Sequence, residues 1–358
     1  MQFADKIFSN NKKHLALFFS SKLSRMRSEM KKIIVDMDGR LGNQMFQYAY
    51  ALKLKKEIPK SEIIINFYRI SLYGDLAPNE QGWMNNLQYF HADYQLDQQK
   101  LSNFLIQYLS KRQYFWLRVT NRLLHHLSSF KRHSYFPFDK LPNFLKYYSR
   151  FLYRKGLLIY PSKIKDLNYE PQNKTILLHS YFEDAGFFEG MQTELQATFS
   201  PREGLLEQNK EFYRKIQESQ SICITIRRGD YLSTENRQSF FQCDESYFIK
   251  GIEILKSKIV NPVFFFFSDD LEYAKQFAED VMTEEDNFMV EKEGNPVWEK
   301  LRLMSACKHY IIANSTFSWW CQFLSANPQK IVVGPKNWYP KDSINKNNAL
   351  VQSDWIQL

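Results

Sequence analysis

Two adjacent arginines, Arg227 and Arg228, end the apolar run Ile224-Thr225-Ile226 and open onto Gly229-Asp230-Tyr231. β-Branched residues running into a Gly-Asp turn predict a buried strand with fixed positive charge at its C-terminal end. A guanidinium keeps its proton in proteins and forks two donors onto a phosphate. Open α/β sheets hold ligands outside the carboxyl ends of their strands. The pattern therefore suits an anionic leaving group such as a nucleoside diphosphate. Two further strand ends have the same look. Val263 to Phe267 runs into Ser268-Asp269-Asp270, with a helical pattern from Leu271. His309 to Ala313 runs into Asn314-Ser315-Thr316, residues that favour a helix start. A helix start presents unpaired N–H groups and partial positive charge, which also suits phosphate.

These three ends need a sheet to align them. Strands are predicted at Lys31–Asp36, Ser61–Asn66 and Thr175–His179, with a helix at Gln44–Glu57. From about Glu207 to Gly334, helices and strands alternate, which implies a parallel sheet under helical cover. Residues 67–110 show no clear period. At 358 residues, two medium domains fit better than one. We place a basic extension at 1–32, a first domain at 33–190 and a second at 191–358. The tail from Trp338 is expected to cross back onto the first domain.

The net charge of +9 is local: residues 111–165 carry +12 with 13 aromatics, residues 1–32 carry +6, and the rest is acidic. Cys223, Cys243, Cys307 and Cys321 show no paired spacing, so reduced intracellular thiols are expected. The longest apolar runs are too short for a membrane span or a signal peptide.

After the first strand comes Asp36-Met37-Asp38-Gly39-Arg40-Leu41-Gly42-Asn43-Gln44-Met45-Phe46-Gln47-Tyr48-Ala49, where glycines permit a tight turn and close approach to a ligand. Alone it is compatible with a plain βα turn. Read with Arg227-Arg228-Gly229-Asp230-Tyr231, Phe267-Ser268-Asp269-Asp270, Leu303 to His309 continuing through Ile311-Ile312-Ala313-Asn314-Ser315-Thr316-Phe317-Ser318-Trp319-Trp320, and Gly334-Pro335-Lys336-Asn337-Trp338-Tyr339, it resembles the α-1,2-fucosyltransferases of glycosyltransferase family 11. The resemblance covers about residues 33–356, with no detailed match at 67–170. It implies a GT-B type α/β fold: two Rossmann-like domains facing a central cleft, the C-terminal half a parallel sheet with helices on both faces. It also implies inverting transfer of L-fucose from GDP-fucose to the 2-hydroxyl of a galactose in a glycan, without metal or other cofactor.

Under that resemblance Arg227 faces the diphosphate and stabilises charge on the departing GDP. Arg228, on the opposite strand face, belongs to the donor site mainly as a structural pair. Asp269 and Asp270 divide between guanine recognition and helix capping, in an order the sequence leaves open. Asn314, Ser315 and Thr316 serve the phosphates, or cap their helix. Gly39, Arg40, Gly42, Asn43 and Gln44 form a loop on the cleft. Asp230 or Glu235 is the candidate base. Thr225 stands where the family usually has histidine; it shares a strand face with Arg227 and has less reach, which bears on donor choice. Asp36 and Asp38 form a D-x-D pattern, but an arginine clamp and a helix start already provide what a metal would.

The expected partners are a GDP-fucose donor and a galactose-containing, lipid-linked glycan acceptor of bacterial surface-polysaccharide assembly. The expected location is the cytoplasm, with residues 111–165 contacting the anionic inner face of the membrane; the competing reading makes those aromatics core and the cations a solvated face. Another GDP-sugar or fucosyl linkage is the alternative enzyme. A basic nucleic-acid-binding module is the alternative of a different class, although no nucleic-acid motif is present.

Overall fold

The computed structural model describes residues 30–76, 82–126, 141–160, 172–229, 241–339 and 349–358. The first half contains β1 (Lys31–Asp36), α1 (Leu41–Glu57), β2 (Ser61–Asn66), α2 (Tyr68–Leu76), β3 (Gln95–Asp97), α3 (Leu101–Tyr108), α4 (Lys111–His126), α5 (Asn143–Arg154), β4 (Leu157–Leu158) and β5 (Thr175–Leu178). Its sheet is parallel, in the order β3-β2-β1-β5-β4. The winding reverses between β1 and β5.

After α6 (Gln192–Thr198) come α7 (Lys210–Glu218), β6 (Gln220–Ile226), α8 (Glu245–Lys258), β7 (Pro262–Ser268), α9 (Leu271–Val281), β8 (Asn287–Val290), α10 (Val297–Ser305), β9 (His309–Ile312), α11 (Thr316–Phe323), β10 (Val332–Gly334) and β11 (Ile356–Gln357). The second sheet is also parallel, in the order β11-β10-β9-β6-β7-β8. Counted from β6 as the first strand, this is the Rossmann order 3-2-1-4-5-6, and its reversal falls between β6 and β9. The molecule is thus α/β of the GT-B type, with two Rossmann-like halves.

Why the central strands read as unbroken apolar runs follows from their cover. Ile222, Ile224, Phe264, Phe266 and Ile311 point into a core with Phe248 of α8 and Phe277 of α9. Their alternates Cys223, Phe265, Phe267, Tyr310 and Ile312 point into the opposite core. Both faces are buried, so neither set of positions is polar. The second of these cores continues without a break into the first half, through Phe46, Phe188, Trp319 and Trp320. Phe46 lies 4.8 Å from each tryptophan, centroid to centroid.

Two expectations change. The first helix starts at Leu41, ahead of Gln44, so Gly42, Asn43 and Gln44 are helical and the loop is confined to residues 37–40. The stretch 67–110 holds α2, β3 and α3; β3 is a three-residue edge strand with two exposed positions, so it carries no apolar signature. The tail touches the first half at Tyr339, whose hydroxyl donates to Glu183 at 3.4 Å, and its residues 349–358 pack on the second sheet. It adds β11 to the edge of the second sheet beside β10, and the Leu350 carbonyl accepts from Trp319 Nε1 at 2.9 Å.

Within the basic segment, α4 and α5 pack together through Trp116 and Phe151, whose centroids are 4.6 Å apart, and a 2.7 Å bond between the Thr120 and Tyr148 hydroxyls. Leu117, Leu145, Leu152 and Tyr153 face inward, whereas Phe115, Phe144 and Tyr147 are exposed beside Arg112, Arg118 and Arg154. The aromatics therefore divide into a set that is core and a set that is exposed. Residues 1–29 of the basic extension, with 127–140 and 161–171, lie outside the described residues. Among the described residues no helix is long and apolar enough to cross a membrane.

Candidate active site

The reversal point of each sheet is where strand ends diverge and leave a crevice. At the second one, β6 ends at Ile226 and delivers Arg227 and Arg228 just beyond. Arg227 Nη1 lies 2.9 Å from Asp269 Oδ2, at the end of β7. Asp269 Oδ1 accepts from the Arg228 amide at 2.9 Å. Asp270 caps α9 by accepting from the Tyr273 amide at 3.1 Å, and its other oxygen lies 3.3 Å from Arg228 Nε. The Arg228 guanidinium also stacks on the Tyr273 ring, 3.5 Å from its centroid. Each arginine thus has its own aspartate. The division left open by the sequence is that Asp270 caps and Asp269 holds Arg227. In this geometry all four carboxylate oxygens have partners, so a guanine would have to displace one.

Across the same crevice, β9 passes through Ala313 and Asn314 to the start of α11. Thr225 is buried, and its hydroxyl accepts from the Ala313 amide at 3.0 Å, tying β6 to this turn. Asn314 is buried as well; its amide nitrogen donates to the Trp338 carbonyl at 3.0 Å. No side chain caps α11 at Ser315, and none caps α1 at Arg40. The Thr316 hydroxyl donates to Asn43 Oδ1 at 2.7 Å, and Trp320 Nε1 donates to the Gly42 carbonyl at 3.0 Å. A methyl group on Gly42 would stand 2.4 Å from Thr316 Oγ1 and 2.5 Å from the Phe317 nitrogen. The first turns of the two helices, one from each half, are therefore in contact, and only glycine allows it. Uncapped helix starts are of the kind that suits an anion.

On the opposite wall, the N-terminal loop turns at Gly39, with φ of +80°, a conformation open to glycine. Arg40 lies over the Trp83 ring at 5.3 Å. Gln44 is fully buried and structural: it donates to the Gly39 and Met84 carbonyls and accepts from the Asn86 amide. Gln47 clamps Asp38 by its backbone, accepting from the amide at 3.2 Å and donating to the carbonyl at 2.6 Å.

Sequence reasoning missed most of the first half's own reversal point. Asp36 Oδ2 meets Arg69 Nη2 at 2.5 Å and His179 Nδ1 at 3.0 Å. Burial pushes the Asp36 carboxyl up, but His179 and Arg69 outweigh it and hold it below the usual carboxylate range. Burial raises Asp38, against the opposing charge of Arg69 at 3.8 Å. Past β5, Glu183 accepts from the Tyr339 hydroxyl at 3.4 Å, across the two halves. Burial pushes Glu183 up to about 7, with the Tyr339 bond pulling the other way. The strand-end rule that finds Arg227 would have found this loop after Thr175–Leu178, had it been applied there. The candidate bases Asp230 and Glu235 lie outside the described residues.

Comparisons with known proteins place the chain in a family. The chain is 28% identical over 337 residues to an alpha-1,2-colitosyltransferase of Escherichia coli, covering 92% of this chain and 99% of that protein. It is 27% identical over 333 residues to the O-antigen biosynthesis glycosyltransferase WbnK of Escherichia coli, covering 90% and 99%. Over 151 residues it is 23% identical to the galactoside alpha-(1,2)-fucosyltransferase 1 of Saimiri boliviensis boliviensis, covering 39% of this chain and 40% of that protein. Residues 159–358, which include every strand of the second sheet, match the glycosyl transferase family 11 profile, and the chain belongs to that family of glycosyltransferases.

Proposed function

We propose that the protein transfers L-fucose from GDP-fucose to the 2-hydroxyl of a galactose, with inversion, in the assembly of a bacterial surface glycan. The observation that carries this reading is Arg227 at the reversal point of the second sheet, beside the uncapped start of α11. Positive groups fixed before the reaction, where charge develops on a departing diphosphate, are the main catalytic requirement of such a transfer. Arg227 would exchange Asp269 for phosphate oxygens, with Ser315, Thr316 and the α11 amides beside it. This arrangement needs no metal. Asp36 and Asp38 are drawn instead to Arg69 and His179. The names of the E. coli and Saimiri relatives support a 1,2 linkage.

Thr225 favours a second reading, transfer of a different GDP-activated sugar. Its hydroxyl is held by Ala313, so the position offers the donor less than a longer side chain would. The colitosyltransferase relative supports the same reading. A screen of GDP release from individual GDP-sugars, with and without galactosides, separates the two. GDP-fucose turned over with a galactoside, giving a 1,2-linked product by NMR, confirms the first reading. Turnover restricted to another GDP-sugar replaces it with the second.

The acceptor is read as lipid-linked. Supporting this, α4 and α5 carry Lys111, Arg112, Arg118, Arg122, Lys146, Arg150 and Arg154 and no acidic residue. Phe144 and Tyr147 are 53% and 69% exposed between them. Exposed aromatics among cations fit the headgroup level of an anionic bilayer.

A further inference from the structure

We propose that Glu183 is the catalytic base that takes the proton from the acceptor hydroxyl. The inference rests on the site being that of an inverting sugar-nucleotide transferase. Inversion requires the acceptor to attack from the side opposite the diphosphate. The second half holds the diphosphate, so the base belongs on the first half's wall, at the reversal point between β1 and β5.

Among the described residues, four carboxylates stand at that point, and three have other work. Asp36 is held by Arg69 and His179. Asp38 accepts from the Gly39 amide at 2.8 Å, is hydrogen-bonded by Tyr181 and faces Arg69. Asp184 caps the short helix at Ala185–Phe187 by accepting from the Gly186 amide at 2.8 Å. Among the described residues, Glu183 has only the Tyr339 hydroxyl, with no cation acting on it. Lys53, the nearby cation of α1, donates to the Phe187 carbonyl at 2.7 Å. A carboxylate free of a fixed cation can accept a proton without breaking an ion pair.

The backbone is bent to present this side chain. Phe182 has φ of 56°, a left-handed conformation that bulky residues rarely adopt. Its ring is fully buried and stacks on Tyr50, with centroids 4.0 Å apart and planes 7° apart. The Asp184 amide donates to the Phe182 carbonyl at 2.9 Å, closing a three-residue turn with Glu183 at its apex. Strain of this kind persists where the surroundings enforce it, and it clusters at functional sites. The apex meets Tyr339, one residue from Trp338, whose carbonyl holds Asn314 beside the α11 start. Glu183 therefore reaches from the first half to the edge of the proposed diphosphate site. Its carboxyl, pushed up to about 7 by burial, is matched to base catalysis near neutral pH.

In the step, the acceptor oxygen bonds to the anomeric carbon. The bond from that carbon to the diphosphate oxygen breaks, its electron pair leaving with GDP. The hydroxyl proton passes to Glu183 and then to water.

The test uses the full chain and whichever GDP-sugar and galactoside it turns over, so a wrong donor assignment does not disguise a wrong base. For Glu183→Gln, kcat/KM should fall roughly 10²–10⁴-fold, with GDP affinity by calorimetry unchanged. The wild-type rate should rise with pH through about 7, because the base works deprotonated. That limb should vanish in Glu183→Gln and survive, at reduced rate, in Glu183→Asp. A structural role would lower GDP affinity or melting temperature and leave the limb in place. A folded Glu183→Gln protein that keeps the limb overturns the proposal, as does a wild-type profile that is flat across neutral pH.

Discussion

The two reversal points, one in each sheet, are built alike and charged differently. In the second half, two arginines stand against two aspartates, beside an open helix start. In the first, Asp36 and Asp38 are drawn to Arg69 and His179, while Asp184 caps a short helix and Glu183 meets Tyr339. The same doubly wound plan supplies both crevices, since each is where neighbouring helices part. The residues just past the strands decide which way charge moves. Under the proposed function, one wall would receive negative charge from a leaving group, and the other a proton from a nucleophile. A transferase needs both, and here they belong to separate halves joined by Asn43–Thr316 and Glu183–Tyr339.

The strongest way to break this contrast is to remove the cation. Arg227→Ala is expected to cost about 3–4 kcal/mol in barrier height, the cost of losing one preorganised donor, and to leave the fold intact. Arg227→Lys should also be poor, because the fork is lost. Arg228→Ala should instead lower the melting temperature, since Arg228 stacks on Tyr273 and pairs with Asp270. Steady-state turnover and thermal unfolding of both variants decide. Near-normal turnover by a folded Arg227→Ala protein refutes the assignment.

The outer face of the first half offers a second difference, because helices α4 and α5 carry cations and no acidic residue of their own. Reversing charge at Arg150, Arg154 and Lys155 should weaken binding to anionic vesicles, each basic residue contributing about 1 kcal/mol near such a surface. Sedimentation with anionic and neutral vesicles at two salt concentrations reads this directly. Equal indifference of the wild-type protein to both vesicle types ends the membrane proposal.

The join between the halves is tested by Gly42→Ala, which sets a methyl group against Thr316 and the Phe317 backbone. A loss of about 1–3 kcal/mol is expected from overpacking, seen as a lower denaturant midpoint. Gly204→Ala, which meets nothing within 4 Å, is the control. The smallest expected effect is that of excess EDTA on turnover, namely none. Loss restored by manganese or magnesium would return Asp36 and Asp38 to consideration as metal ligands.

How far these differences could be read beforehand follows the same division. Strands β6 and β7 are seven residues long, β9 continues as an apolar run into Ala313, and all three lead to Gly, Asp or Asn, so composition marks them and their ends. Arg227, Asp269 and Thr316 were legible for that reason. The first half hides its chemistry. Arg69 lies on a helix in a stretch with no period, and His179 and Glu183 follow a four-residue strand without a flanking glycine. Their significance comes from register: Val35 lies opposite Leu178, which brings the residues after β1 and β5 together from far apart in the chain. The early start of α1 was obscured by Gly42, a poor helix former kept there by the neighbouring helix.

The aromatic core that runs from Phe46 through Trp320 into the second sheet also has a thermodynamic consequence. Two lobes with separate interiors would melt in two steps. Here each half completes the interior of the other, so loss of either exposes the tryptophans of α11. The chain should unfold as one cooperative unit. GDP bound wholly within the second half would then raise the unfolding temperature of the first by the same amount, because the linkage acts on a single transition.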